Sequence, residues 1–467
     1  MSGLFQGLQI GKQALMTHQV SINTIGHNMT NASTVGYSRQ EVNLTTAIPN
    51  ENANYILGNG VKVSSVTQVR DSFLTAQYRR QSQMLGEWSY RDKTMGQLES
   101  IIAEPTDSGL GNILDEFWNS WATLSSPDNV DDVGGARPDV LAQAQSLIDA
   151  FHSLDTQLEA MYSSTNEDIL GQVEEINLIS REIANLNELI VGEELGGAIA
   201  NDLRDQRDYL VDQLSGMVNV STNENKDGSL TVYIGGMALV ERADTFQLST
   251  KLVENSDKTK HEIVWENSKR AVDFDGGKLK GLLDTRDETI PKYQEMLDNL
   301  AETIVTELNT LHSQGYTLEG ETGYNFFDPE GLTAGTIALS SDIEDNPERI
   351  AASLSGEPGD NSNALAIYDL RDQAVMSGGS ASITEYYNQM VGSIGVEAQE
   401  STTFHENYDS MLLQIENSRQ SVQGVSLDEE MANLIIAQQS YSAAAKLITY
   451  IDEALDTVIN GMGIVGR

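Results

Sequence analysis

From Ser2 to Arg39 the chain reads SGLFQGLQIGKQALMTHQVSINTIGHNMTNASTVGYSR. Within this stretch Leu4, Gly11, His18 and Ile25 repeat every seven residues, and Leu8, Leu15, Ile22 and Met29 form a second row four residues on. Two such rows put a narrow apolar seam along a helix, as in a coiled coil. The distal end carries the same beat in Leu434, Tyr441, Ile448, Leu455 and Met462, with a more mixed companion row of Met431, Gln438, Ala445, Asp452 and Ile459. At 1.5 Å per residue the two helices would run roughly 40 and 50 Å.

Two ordinary core helices would also show an apolar stripe. The residues off the seam argue for something more. Gly3, Gly7, Gly26, Ala32, Ala437, Ala443, Ala444 and Ala445 leave several faces small, whereas a helix facing water carries Lys and Glu there. Small residues on several faces imply close contact on several sides.

Charge separates the ends from the middle. The 467-residue chain carries a formal charge of −42. Residues 1–40 hold Lys12 and Arg39 and no acid, +2, residues 427–467 come to −4, and the middle carries the remaining −40. The ends can pack against copies of themselves while the middle repels and stays solvated. A basic stripe for nucleic acid is missing. No run of eighteen apolar residues occurs, so no membrane insertion is expected. The first twenty residues lack a basic start and an apolar core, so a cleaved signal is not expected either. The absence of cysteine excludes disulfides and thiolate chemistry.

Between the ends, Asn31 and Gly36 are natural helix-ending residues. Alternation over Gln40–Leu44 and Val61–Val63 predicts short strands beside Gly58 and Gly60. Helices are expected over about 71–103, 111–124 and 140–191, with a loop over 124–138. Phe117, Trp118 and Trp121 at helical spacing read as core. From about Ser215 the period turns to two, through 218–221, 229–234, 245–250, 261–265 and 270–274, ending near Gly276-Gly277. A long helix over about 291–315 has Pro291 in its first turn. A loop- and strand-rich segment follows over 316–363, then helices over 364–376 and from 383 to the end. The expected fold is mainly α with an inserted β domain. Residues 1–60 with 425–467 form a terminal coiled-coil assembly domain, 61–215 with 281–424 a helical middle domain, and 216–280 a small β-rich outer domain.

The search for chemistry finds no catalytic constellation and no cofactor loop. The six histidines are scattered. His405-Glu406 and His261-Glu262 lack the second histidine that a zinc-protease helix places four residues on. Asn223, Asn225, Asp227 and Gly228 follow the first half of a calcium loop, but its twelfth position is Ile234, where a bidentate glutamate is needed. Asp227-Gly228 between alternating runs reads better as a hairpin turn.

With these residues in view, the chain resembles the flagellar rod, hook and hook-associated proteins. The helix exit Asn28-x-x-Asn31-Ala32-x-Thr34-x-Gly36-Tyr37-Ser38-Arg39 is similar to their N-terminal signature. Met431-Ala432-Asn433-Leu434, Gln438-Gln439-x-Tyr441-x-Ala443-Ala444 and Leu455-Asp456-x-Val458-Ile459-Asn460 resemble their C-terminal partner. Inside, 199–208, 281–287, Asn309-x-x-His312-x-x-Gly315 and 359–364 resemble the members that join hook to filament. Val35 stands where proline is common in the family. The resemblance implies a non-enzymatic structural subunit, exported by the flagellar type III apparatus without a cleaved signal and located outside the cell. It implies a ring of identical copies at the hook tip, in contact with the hook protein and a second junction protein, and an export chaperone on the C-terminal region. Another axial role (second junction, hook or distal rod) and an added adhesin role of the β insert are the alternatives. The implied assembly interface is Leu4, Leu8, Leu15, Ile22, Ile25, Asn28, Met29, Asn31, Gly36 and Tyr37 at one end. At the other it is Met431, Leu434, Tyr441, Ile448, Leu455, Ile459 and Met462, the face the chaperone would share.

Overall fold

A computed structural model of the chain describes residues 2–48, 50–52, 55–102, 109–126, 135–255 and 258–461. Met462 and most of the 124–138 loop lie outside them. Helix α1 (Ser2–Thr30) leads into a β-ribbon of β1 (Gln40–Thr46) paired antiparallel with β4 (Val61–Gln68), and β2 (Asn50–Asn52) pairs with β3 (Tyr55–Leu57) between them. Next come α2 (Ser72–Ile102), α3 (Leu110–Leu124), the long α4 (Ala136–Glu194) and α5 (Asn201–Met217). A four-stranded antiparallel sheet in sequence order follows: β5 (Val220–Glu224), β6 (Leu230–Ile234), β7 (Met237–Glu241) and β8 (Asp244–Thr245). The hairpin β9 (Leu248–Asn255) and β10 (Lys258–Trp265) completes the β region. Helices α6 (Lys278–Asp284) and α7 (Ile290–Gln314), the short α8 (Ser341–Asp345), α9 (Ser362–Asp369), α10 (Ile383–Gln423) and α11 (Leu427–Asp456) close the chain.

Two apolar cores organise these elements. The first gathers the end of α2 with α3, the start of α4, α7, the 316–363 segment, α9 and the start of α10 around Phe117, Trp118, Trp121, Phe326 and Phe327. Asn309 ties that segment down. Its Oδ1 accepts from the Phe326 and Phe327 amides, each at 2.9 Å, and its Nδ2 donates to Phe327 O at 3.0 Å. His312 is fully buried and bridges Tyr324 O at 2.8 Å and the Ala351 amide at 2.9 Å. The family motif at 309–315 is therefore a set of tacks holding a loop-rich segment onto α7.

The second core places Leu230, Val232, Ile234, Val240 and Trp265 from the strands against Ile169, Ile176 and Ile183 of α4 and Val211 and Leu214 of α5. The strands share this core with the helices, because each sheet face is too small to bury itself. Asp227-Gly228 is a hairpin turn, with Gly228 at φ 85° between β5 and β6.

Three expectations change. The alternating run at 270–274 makes only an isolated bridge, Val264 to Ala271, while 237–241, which was not expected, is a strand. The helix expected from 291 is α7, but a further helix that was not expected, α6, precedes it, and a wide turn over Thr285–Thr289 joins the two. The C-terminal helix breaks once, at Gly424, whose amide bonds to Gln420 O while its ψ of 155° leaves the helix. That break separates α10 from α11 and frees α11 to pack on α1.

Candidate assembly interface

Helices α1 and α11 lie side by side, as the two seven-residue beats predict. Contact is closest where glycine meets isoleucine. A Cβ built on Gly11 would lie 2.7 Å from Ile448 Cγ1, and one on Gly7 would lie 2.9 Å from Ile451 Cδ1. The glycines are sockets for the isoleucines, knobs into holes with the hole on α1. Leu8, Leu15, Ile22, Ile25 and Met29 are half-buried on α1, as are Leu434, Tyr441, Ile448 and Leu455 on α11. The companion row buried on α11 is Glu430, Ala437, Ala444 and Ile451. It lies one residue before the row read from the sequence, because only small residues such as Ala437 and Ala444 allow the close approach. Met431 and Ile459 are consequently exposed, together with Ile435, Ile436, Leu447 and Tyr450, and on α1 Phe5 and Met16. Ile436, Leu447 and Tyr450 fall on one side of α11, about a quarter-turn round from the buried row.

The exit of α1 is locked rather than free. Asn28 is buried and takes three bonds: its Nδ2 donates to Gln40 O at 2.9 Å, and its Oδ1 accepts from the Gln40 amide at 2.9 Å and Tyr37 Oη at 2.7 Å. One side chain thus sets both the helix end and the start of β1. Asn31 Nδ2 returns to His27 O at 3.0 Å, and Thr34 Oγ1 donates to Asn31 Oδ1 at 3.2 Å. Gly36 sits at φ 81°, and a Cβ there would lie 3.0 Å from Tyr209 Cβ, so this turn needs glycine twice over. Burial raises the Tyr37 phenol, with Asp202, Asp205 and Glu430 adding to the effect.

What the exit docks against is α5. Asp202, Asp205, Asp208 and Asp212 are spaced three, three and four residues apart, which places all four carboxylates on one face. Asp202 Oδ1 meets His27 Nε2 at 3.1 Å and accepts from Gln40 Nε2 at 2.7 Å. Asp205 Oδ2 accepts from the Ser38 amide at 2.9 Å, and its Oδ1 accepts from Gln68 Nε2 at 2.9 Å and Arg70 Nη2 at 3.0 Å. Burial pushes the Asp205 carboxyl up, while Arg70 and Ser38 pull it down. Arg70 also pairs with Asp208. Asp212 binds Arg79 Nε at 2.7 Å and Arg419 Nη2 at 2.8 Å, and the Arg419 guanidinium lies 4.1 Å over the Tyr78 ring. Arg39 closes the circuit, its amide donating to Gln423 O at 2.8 Å beside the Gly424 break. A single ladder of carboxylates therefore fastens α1, the ribbon, α2 and α10 to α5.

Asn28, Asn31, Gly36 and Tyr37, expected on the assembly interface, come together within the chain at the exit of α1. Arg70, Arg79 and Arg419 were not singled out; Asp202, Asp205 and Asp208 lay within the stretch 199–208, but their alignment with Asp212 as a ladder was not read from it. The signal was there, because four aspartates on one helix face with one side buried must meet cations. Among the described residues no group of three or more His, Cys, Asp or Glu is arranged to hold a metal ion, and no helix is long and apolar enough to cross a membrane.

Comparison with known proteins adds independent findings. The family model described as the flagellar hook-associated protein FlgK helical domain matches residues 95–327, and that of the flagellar basal body rod FlgEFG protein C-terminal matches 417–461. The chain is 32% identical to flagellar hook-associated protein 1 of Bacillus subtilis, over 100% of both chains. It is 26% identical to the protein of the same name from Salmonella typhimurium, covering 98% of this chain and 100% of the other. The solved structure of the flagellar hook junction protein FlgK from Burkholderia pseudomallei has the same fold, with a TM-score of 0.67 at 16% identity, covering 74% of this chain and 100% of that one.

Proposed function

The chain belongs to the flagellar hook-associated protein 1 family, and on that premise we propose that it is the subunit that polymerises on the distal end of the hook and joins hook to filament. The observation that carries this reading is the 32% identity to a hook-associated protein 1 along the whole chain, terminal helix to terminal helix. The match to the rod-protein C-terminal family is confined to 417–461, which holds α11.

The mechanism is mechanical rather than catalytic. In the single chain α1 and α11 bury one seam against each other and leave a second apolar side on α11 bare. Burial of apolar surface contributes about 25 cal/mol per Å², so bare isoleucines and a tyrosine favour a neighbouring copy over water. Copies arranged as a ring would cover these sides. The −42 charge keeps the outer domains apart and soluble. The ladder on α5 makes α1 and the middle domain one lever, so load between hook and filament passes through charge-assisted bonds. The hook protein lies below the ring and a second junction protein above it. An export chaperone would cover the bare side of α11 before the chain leaves the cell.

Deleting the gene and viewing cells by electron microscopy tests the role. Hooks lacking filaments, with flagellin shed into the medium, are expected; cells bearing normal filaments would remove the proposal.

A further inference from the structure

Helix α1 carries a second stripe besides the seam that meets α11. Phe5, Gln9, Lys12, Met16 and Gln19 are all exposed and follow one another at intervals of four and three residues, which lines them along one face. Helix α4 has a stripe of the same kind. Its inner face is buried in the core shared with the strands, while Glu175, Leu178, Glu182, Asn185 and Leu189 are exposed at intervals of three and four. Single exposed apolar side chains are ordinary on a protein surface. Here Phe5 and Met16 are 56% and 62% exposed, Leu178 and Leu189 51% and 47%, and the members of each pair stand eleven residues apart. That interval is three turns, about 16 Å along either helix.

The two stripes match end for end. Laid antiparallel, Phe5 stands opposite Leu189, Gln9 opposite Asn185, Lys12 opposite Glu182, Met16 opposite Leu178 and Gln19 opposite Glu175. Apolar residues meet apolar ones, amide meets amide, and the cation meets an anion. Laid parallel, the apolar pairs are kept but Lys12 faces the Asn185 amide, so charge selects the antiparallel arrangement. Neither Lys12 nor Glu182 has an ion-pair partner within the chain among the described residues. Within one chain α1 lies against α11 and the β1–β4 ribbon, not along α4, so the partner of the α4 stripe is a second copy. Most of a chain with 70 acidic and 28 basic residues repels an acidic stripe, but residues 1–40 hold no acid and can approach it. Room for the contact is present: Glu182 and Asn185 line a cavity of about 590 Å³ between α4, α5 and the exit of α1, and Asp202 lines it too.

We propose that between copies the outer stripe of α1 in one chain docks antiparallel on the 175–189 face of α4 in another, with Lys12 paired to Glu182. The inference rests on the reading of the chain as a polymerising subunit and names one of its contacts.

The test is disulfide cross-linking, which a chain without cysteine reports cleanly. Full-length chain carrying Met16→Cys and Leu178→Cys is oxidised both in sheared flagella and as concentrated purified protein, and products are read on non-reducing gels. Thr45→Cys with Lys62→Cys, opposite one another in the β1–β4 ribbon, controls for oxidation and is read by loss of free thiol. An intermolecular cross-link between positions 16 and 178 in either preparation is expected. Lys12→Glu or Glu182→Lys alone should cut its yield at least about fivefold, and the two exchanges together should restore it, because only the pairing of opposite charges is kept. No cross-link in either preparation while the control forms, a cross-link from Met16→Cys with Leu189→Cys in its place, or no recovery in the double exchange would overturn the proposal. Immunoblotting the sheared flagella for the wild-type subunit reads the junction role separately.

Discussion

Replacing Asn28 by alanine tests the exit lock. Asn28 is 1% exposed and holds Gln40 N–H, Gln40 C=O and Tyr37 Oη. The substitution orphans all three at once, and each buried polar group left unmade costs about 1–3 kcal/mol. Gln40 and Tyr37 are only half-buried, so water replaces part of what is lost, and a net loss of about 3 kcal/mol is expected. The loss is local. It should lower the opening free energy of the α1 end and of β1, leaving α7 and the aromatic core untouched. Amide hydrogen exchange is the assay, since it reads each element separately. Exchange at Tyr37 to Thr46 should accelerate by about two orders of magnitude, because 1.4 kcal/mol is tenfold, while amides of α7 keep their rates. Tyr37→Phe removes a single bond and should cost about 1 kcal/mol. If Asn28→Ala exchanged like wild type over Tyr37 to Thr46, or if every element accelerated equally, the exit would not be a separate lock.

Three further outcomes follow from the geometry. Gly11→Val drives a branched side chain into Ile448, whose Cγ1 would lie 2.7 Å from the new Cβ; overpacking costs about 1–3 kcal/mol, and Ile448→Ala in the same chain should recover part of it in urea melts. His312 accepts the Ala351 amide on Nε2 and is therefore neutral, and burial lowers its pKa from 6.5 to about 4. The unfolded chain takes up that proton first, so the stability contribution is complete above pH 6.5 and is lost as pH falls towards 4, by about 3 kcal/mol; His312→Gln should flatten that limb of the stability curve. Tyr450→Glu on the bare side of α11 should leave the circular dichroism and melting of the monomer unchanged yet abolish incorporation into flagella, scored by immunoblot of sheared hooks and filaments.

The terminal pairing was legible because a seven-residue beat at both ends has few other uses. Its register was not: rows at 431 and 430 differ by one residue, and close packing of small residues on both helices, Gly7 and Gly11 with Ala437 and Ala444, decides which row fits. Asn28, Gly36 and Tyr37 were legible as a motif at the helix exit, but neither their locking role nor its partner was, because Asp205 lies far along the sequence. The strands were read from alternation, and β7 escaped because Met237–Glu241 alternates only weakly. Their sharing of a core with α4 could not be read locally, since it depends on which side of a 59-residue helix they meet.

The most direct measurement of the central claim is the position of the subunit in the flagellum. An epitope inserted after Gly320, in an exposed turn, and decorated with gold-labelled antibody should appear as one band at the boundary between hook and filament. Label spread along the filament or the hook, or confined to the cell body in cells that swim normally, would contradict the account.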